Sequence, residues 1–193
     1  MPTMRHRFCL AASGAVLLLL GARHAAAQTA PVQTAPDLHI IAFGEYIVGR
    51  KTGMLDPAVT PGTSVPVDLV EDVHFVNHAS HIEARLCRGF GIQFEASNLG
   101  PTQTAPITIR VTHPPMANAG KQNSTVDAWQ STISGKAPSL AGYTFDHPWE
   151  IVPGAWTFAV MSGNTVLVTQ QFDVVSTSDP AGASAISCRQ LVS

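Results

Sequence analysis

The chain has 193 residues, is 45% hydrophobic and 12% charged, and carries a formal charge of −2 with histidine neutral. That length suits one domain with a substantial core. An acidic balance without clustered Lys or Arg argues against a nucleic-acid backbone or an anionic lipid surface as partner.

Residues 1–27 read as a secretory signal peptide. Arg5, His6 and Arg7 give a basic start, residues 9–22 are mostly apolar, and Ala25, Ala26 and Ala27 supply the small residues before a cleavage point. The run is shorter than the roughly 20 apolar residues a span needs, so no membrane span is expected after cleavage. Cleavage would remove Arg5, Arg7 and Arg23 from the 11 basic residues and none of the 13 acids, leaving 8 − 13 = −5. It would also remove Cys9, leaving Cys87 and Cys188. A pair of cysteines in an exported chain is best read as a disulfide. Closing a loop of about 100 residues would contribute at most about 4.7 kcal/mol on chain entropy and would pin the tail. Two unpaired thiols are the alternative.

Residues 28–36 repeat Gln-Thr-Ala-Pro and read as a disordered leader before a domain over 37–175. Residues 38–48 form the first predicted strand. Apolar side chains fall on both of its faces and Gly44 sits within it, which suits a central strand or a register change at a bulge. Residues 49–66 hold Gly53, Pro57, Pro61, Gly62 and Pro66, and are expected to be loop. A short strand follows over 67–76. Phe90, Ile92 and Phe94 alternate with polar or small residues, as do Ile107, Ile109 and Val111 with Thr108, Arg110 and Thr112. His113-Pro114-Pro115 is expected to stop the latter strand. Residues 117–122 read as a turn, residues 126–133 as a strand, and residues 143–145 as short and extended.

Residues 148–160 organise the rest. Trp149 and Trp156 flank Pro153-Gly154, then Trp156, Phe158 and Val160 share one face of a strand. Ser162-Gly163-Asn164 turns the chain into residues 165–175, where Val166, Val168, Phe172 and Val174 share a face. The expected product is a closing hairpin whose rings fill the core. Residues 176–193 read as a loop-like tail. No stretch shows helical periodicity, and about seven short strands in one domain indicate an all-β antiparallel sandwich.

Phe43-Gly44-x-Tyr46, Gly89-Phe90-Gly91-Ile92, His113-Pro114 and the stretch Trp149-Glu150-Ile151-Val152-Pro153-Gly154-x-Trp156-Thr157-Phe158 together resemble a family of exported bacterial domains of unknown function. The resemblance covers roughly residues 37–175. It implies an immunoglobulin-like β-sandwich and a periplasmic or extracellular address. It implies no activity, so it transfers no catalytic residue.

Three constellations could carry chemistry. His74, His78 and His81 offer imidazoles for Zn²⁺ or Cu²⁺. In an extended strand His74 and His78 stand about 13 Å apart at ~3.3 Å per residue, so a shared ion needs a turn near residues 77–80 and help from Glu71, Asp72 or Glu83. Exposed loop imidazoles are the plainer reading. Asp146-His147 with Glu150, and His113 at another strand end, hold acid–base groups. No nucleophile elbow, H-E-x-x-H or phosphate loop accompanies them, so no catalytic residue is assigned and no cofactor is expected. Trp129 and Trp149 could stack a sugar ring; Trp129, set among Asp127, Gln130 and Ser131, is expected to be the most exposed tryptophan, and Trp156 is expected in the core. The Asn123-Ser124-Thr125 sequon matters only in a glycosylating host.

The expected role is a non-enzymatic binding or accessory module of the bacterial cell envelope, its partner an envelope protein or a glycan. Residues 49–66 and 72–81 are the expected contact surface. The alternatives are a metal-binding envelope protein using His74, His78 and His81, and a hydrolase with a cleft that holds His113 or His147 beside a carboxylate.

Overall fold

Nine strands in two sheets account for most of the described chain. The structure, a computed structural model, describes residues 35–55, 67–116 and 124–177. The expected signal peptide, most of the leader, the turn at 117–122, Asn123 of the sequon, and the tail with Cys188 lie outside the described residues, apart from the tail's first two positions.

The strands are β1 (Leu38–Leu55), β2 (Val67–Phe75), β3 (His81–Ala84), β4 (Gly89–Ala96), β5 (Thr104–Met116), β6 (Ser124–Ser134), β7 (Ser139–Thr144), β8 (Gly154–Ser162) and β9 (Thr165–Ser176). One sheet runs β2-β1-β4-β7 and the other β3-β9-β8-β5-β6. Neighbours are antiparallel except β3 beside β9, which is parallel. The fold is therefore an all-β sandwich, with about nine strands where the alternation suggested seven. The strand without a counterpart in the sequence reading is short β3, which lacks enough residues to display a period.

β1 is central, and a register change between Ile40 and Ala42 moves its apolar residues from one face to the other. Both features explain its two apolar faces. Gly44 has φ +126°, and a Cβ there would come within 2.5 Å of the Asn77 carbonyl oxygen. Asn77 accepts the Glu45 N–H on Oδ1 at 2.9 Å and donates from Nδ2 to the Glu45 carboxylate at 3.0 Å, which fixes the β2–β3 connection against β1. The expected loop over 49–66 is corrected at its start. β1 continues to Leu55 because residues 50–55 pair with Val67–Glu71 across a hairpin, and this pairing overrides the weak propensity of Gly53.

The His113-Pro114-Pro115 stop is also corrected. β5 runs on to Met116, but its ladder with β8 ends at Thr112 and its ladder with β6 skips from Thr112 to Met116. The prolines interrupt pairing, having no N–H to donate, without bending the chain out of the sheet.

The closing hairpin forms as expected. Trp156 pairs with Phe172, and Phe158 with Gln170. Trp156, Phe158, Val160, Phe172 and Val174 are all buried, whereas Val166 at the hairpin end is exposed. Phe90 of β4 lies at the centre of the ring cluster. Its centroid is 5.3 Å from Phe145, 5.4 Å from Phe172, and 5.5 Å from both Trp156 and Phe158. Pro148–Glu150 forms one 3-10 turn that leads into β8.

Candidate functional site

β6 and β7 are edge strands, one in each sheet, and a cleft of about 630 Å³ lies beside them. β6 contributes Asp127, Trp129 and Ser131; β7 contributes Ser139, Leu140, Gly142 and Tyr143. The β1–β2 hairpin forms another wall with Lys51, Met54, Val67, Asp68 and Leu69, and the segment after β7 adds Asp146, His147 and Glu150. This volume falls in the usual range for small-molecule sites, where apolar walls carry a few polar groups.

Strand parity places the polar groups. Asp127, Trp129, Ser131 and Ile133 occupy the inward face of β6, with Asp127 1% and Trp129 8% exposed. Trp129 is thus buried in the cleft wall, contrary to the expectation of exposure. Its polar neighbours at i±2 share its inward face, and it pairs across the ladder with Ile109. Trp149 is half-buried, and the His147 ring stacks on it at 5.3 Å and 14°.

Asp127 and His113 form a buried pair, Nε2 to Oδ2 3.2 Å, and His113 Nδ1 lies 2.8 Å from the Pro114 carbonyl oxygen. The imidazole packs on Trp156 at 5.0 Å. Both ring nitrogens therefore face oxygen acceptors, and neither is open to a substrate. This is the histidine–carboxylate contact that the hydrolase alternative requires, yet it sits with the imidazole fully enclosed.

Glu150 is 3% exposed and accepts the N–H groups of Asp146 at 2.6 Å and His147 at 2.8 Å on one carboxylate oxygen. The Tyr143 hydroxyl hydrogen-bonds with Glu150 and lies 3.6 Å from Met116 Sδ. Burial, then the charges of Glu150 and Asp127 and the bond to Glu150, with a smaller push from Asp146, drive the Tyr143 phenol well above its ordinary value. Tyr46, whose ring covers Gly89 and Gly142, is pushed up to about 12, chiefly by burial.

Burial also holds the Glu150 carboxyl above its ordinary 4.5, against the two backbone N–H bonds and His147, which lower it, and with Asp146, which raises it. A raised acid binds its proton more tightly when folded. Its contribution to stability is therefore complete below the unfolded value near 4.5 and is lost as pH rises through the folded value. Glu150→Gln keeps an oxygen for the two N–H groups and removes the titration. The variant's melting temperature should fall less than that of the parent between pH 4.5 and 7; equal slopes would refute the assignment.

The other expected residues do not converge. His74 on β2, His78 in the β2–β3 connection and His81 on β3 are all exposed. His78 meets the Phe43 ring edge-on at 6.1 Å, and His81 Nδ1 lies 3.3 Å from Asp173. Among the described residues no three His, Cys, Asp or Glu side chains are grouped as a metal site would need. Cys87 is half-buried with φ 63°, and its N–H donates to the Phe145 carbonyl at 2.8 Å.

The domain of unknown function DUF3859 matches residues 56–174. The chain belongs to this family. A solved immunoglobulin-like protein from Pseudomonas aeruginosa aligns with a TM-score of 0.51 at 18% identity, covering 72% of this chain and 96% of that one. This DUF3859 protein accordingly has an immunoglobulin-like fold. A Paenibacillus cycloisomaltooligosaccharide glucanotransferase, solved with cycloisomaltoheptaose, aligns at 14% identity over 53% of this chain and 13% of that one. Its TM-score of 0.31 is too low to bear on the fold. No curated protein matches the chain. Among the described residues no helix is long and apolar enough to cross a membrane.

Proposed function

We propose that this DUF3859 protein is an exported, non-enzymatic binding module of the bacterial cell envelope, and that its ligand enters the cleft beside β6 and β7. The cleft carries this reading: about 630 Å³, walled by two sheet edges and a hairpin, with buried Asp127, Glu150, Trp129 and Tyr143 at its surface. The enclosed His113 favours binding over hydrolysis, since a general base must reach the proton it abstracts. Export rests on the sequence of residues 1–27, and a Cys87–Cys188 bridge belongs to that same proposal.

Thermal melting against a panel of sugars, amines, amino acids and carboxylic acids tests the cleft. Ser131→Trp places an indole in the cavity from a half-buried edge-strand position. At least one class should raise the midpoint of the parent and leave Ser131→Trp unmoved, as a ligand that binds only the native state must. A panel that moves neither protein, or both equally, would overturn the cleft as the site.

A further inference from the structure

On the reading that the cleft is the ligand site, we propose that the ligand is an extended polypeptide segment of another protein, which adds as a strand to the free edge of β7. β7 is the last strand of its sheet and pairs with β4 alone among the described residues. Ser139 and Tyr143 from one of its faces and Leu140, Gly142 and Thr144 from the other all line the cleft. The cavity therefore runs along the strand's edge, not over one face.

Two neighbours fix the hydrogen-bonding sense of that edge. Phe145, just past β7, turns its N–H to the Arg88 carbonyl at 3.2 Å and its C=O to the Cys87 N–H at 2.8 Å, both on the β4 side. The Ala141 carbonyl oxygen lies on that side too, against the position of a Cβ on Gly91. Antiparallel residues point alternately toward one neighbour and away from it. Ala141 and Tyr143 thus bond to β4, and Leu140, Gly142 and Thr144 turn N–H and C=O to the cleft. These three donors and three acceptors recur every ~6.8 Å, two residues of strand. A second polypeptide strand matches that repeat, and a sugar chain carries no such alternation.

Natural sheet edges are guarded by charges, prolines or cover. β2 carries Asp68, Glu71 and Asp72, β3 has only four residues, and β6 points Asp127 inward. β7 has neither charge nor proline, and its guard is its recessed place between β6 and the β1–β2 hairpin. A second copy would bring a whole sheet edge, for which walls around about 630 Å³ leave no room, whereas one extended chain enters. Met54 and Leu69, 50% and 45% exposed on the hairpin, line the same cleft and offer apolar contacts to alternate side chains of the segment. The fitting segment is free of proline at its pairing positions and apolar at every second residue.

Selection from blocked hexapeptides, randomised over the residues other than proline and cysteine, supplies the probe. The parent should recover binders that Ser131→Trp weakens at least tenfold. N-methylation of alternate residues of a binder should weaken it at least tenfold in one parity and less than threefold in the other, because a strand pairs through every second residue. In the free protein the amides of Leu140, Gly142 and Thr144 should exchange at least tenfold faster than those of Ala141 and Tyr143, and a saturating binder should slow them at least tenfold. Leu140→Pro removes an edge donor and no bond to β4, so it should weaken binding at least tenfold where Leu140→Ala changes it less than threefold. If the proline variant does not fold, the N-methyl comparison decides. A library without binders, N-methyl patterns of equal effect, or edge amides unmoved by a binder would overturn the strand addition. A dimer in sedimentation with those three amides already slow would overturn the peptide in favour of a second copy. If the small-molecule panel above finds a ligand sensitive to Ser131→Trp and no peptide binds, the cleft survives without the strand; if neither binds, both fail.

Discussion

Phe90→Ala should lower the unfolding free energy by about 3–5 kcal/mol, the usual cost of deleting a buried ring. Phe90 is fully buried and has five ring neighbours: Tyr143, Phe145, Trp156, Phe158 and Phe172. These come from β7 and the segment after it in one sheet, and from β8 and β9 in the other. Removing the phenyl therefore unlinks the two layers at their centre, and the surrounding rings are too rigid to collapse into the space. Edge-to-face geometry, with interplanar angles of 77° to Trp156 and 83° to Phe158 and Phe172, would be lost with it. Chemical denaturation of parent and variant measures the difference; a loss under 1.5 kcal/mol would show that the core repacks. Against a total stability of about 5–15 kcal/mol the expected loss is large enough to populate unfolded chains.

The same cluster shows what the sequence makes legible. Phe90, Ile92 and Phe94, then Trp156, Phe158 and Val160, alternate cleanly because each strand has one buried face, and both triplets are fully buried. Period-2 patterning identifies such strands without knowledge of their partners. It fails where pairing rather than burial makes the strand. Residues 50–55 are strand because the β2 arm bonds to them, and nearly all their side chains face solvent. β3 is held by four residues beside β9, a contact about ninety residues away in the chain.

The cleft was hidden for a related reason. Asp127 and Ser131 suggest a solvent face, and only their parity with Ile133 signals otherwise. A polar side chain on an inward strand position is the sequence mark of a site, but it becomes readable only once the strand's inward face is known. Glu150 stands three residues from His147 in the sequence, yet its burial comes from a 3-10 turn that no local periodicity announces. Asp146, His147 and Glu150 are brought together; His113 instead pairs with Asp127, fourteen positions along the chain.

Asp127→Ala should cost about 3–5 kcal/mol, the range for removing one member of a buried charge or hydrogen-bond pair. The carboxylate is 1% exposed and its removal strips His113 Nε2 of an acceptor while Nδ1 stays committed to Pro114. Because Asp127 also lines the cleft, water can reach the vacated position, which places the effect nearer the lower end. His113→Phe keeps a ring against Trp156 and needs no acceptor. In the double variant His113→Phe/Asp127→Ala the loss should therefore fall at least 1 kcal/mol short of the sum of the single losses, a coupling expected for residues in direct contact. Additive losses would mean that the two side chains do not act as a pair. Coupling in stability would identify His113 as the support that holds Asp127 in the cleft wall, the role an enclosed imidazole with both nitrogens engaged can fill.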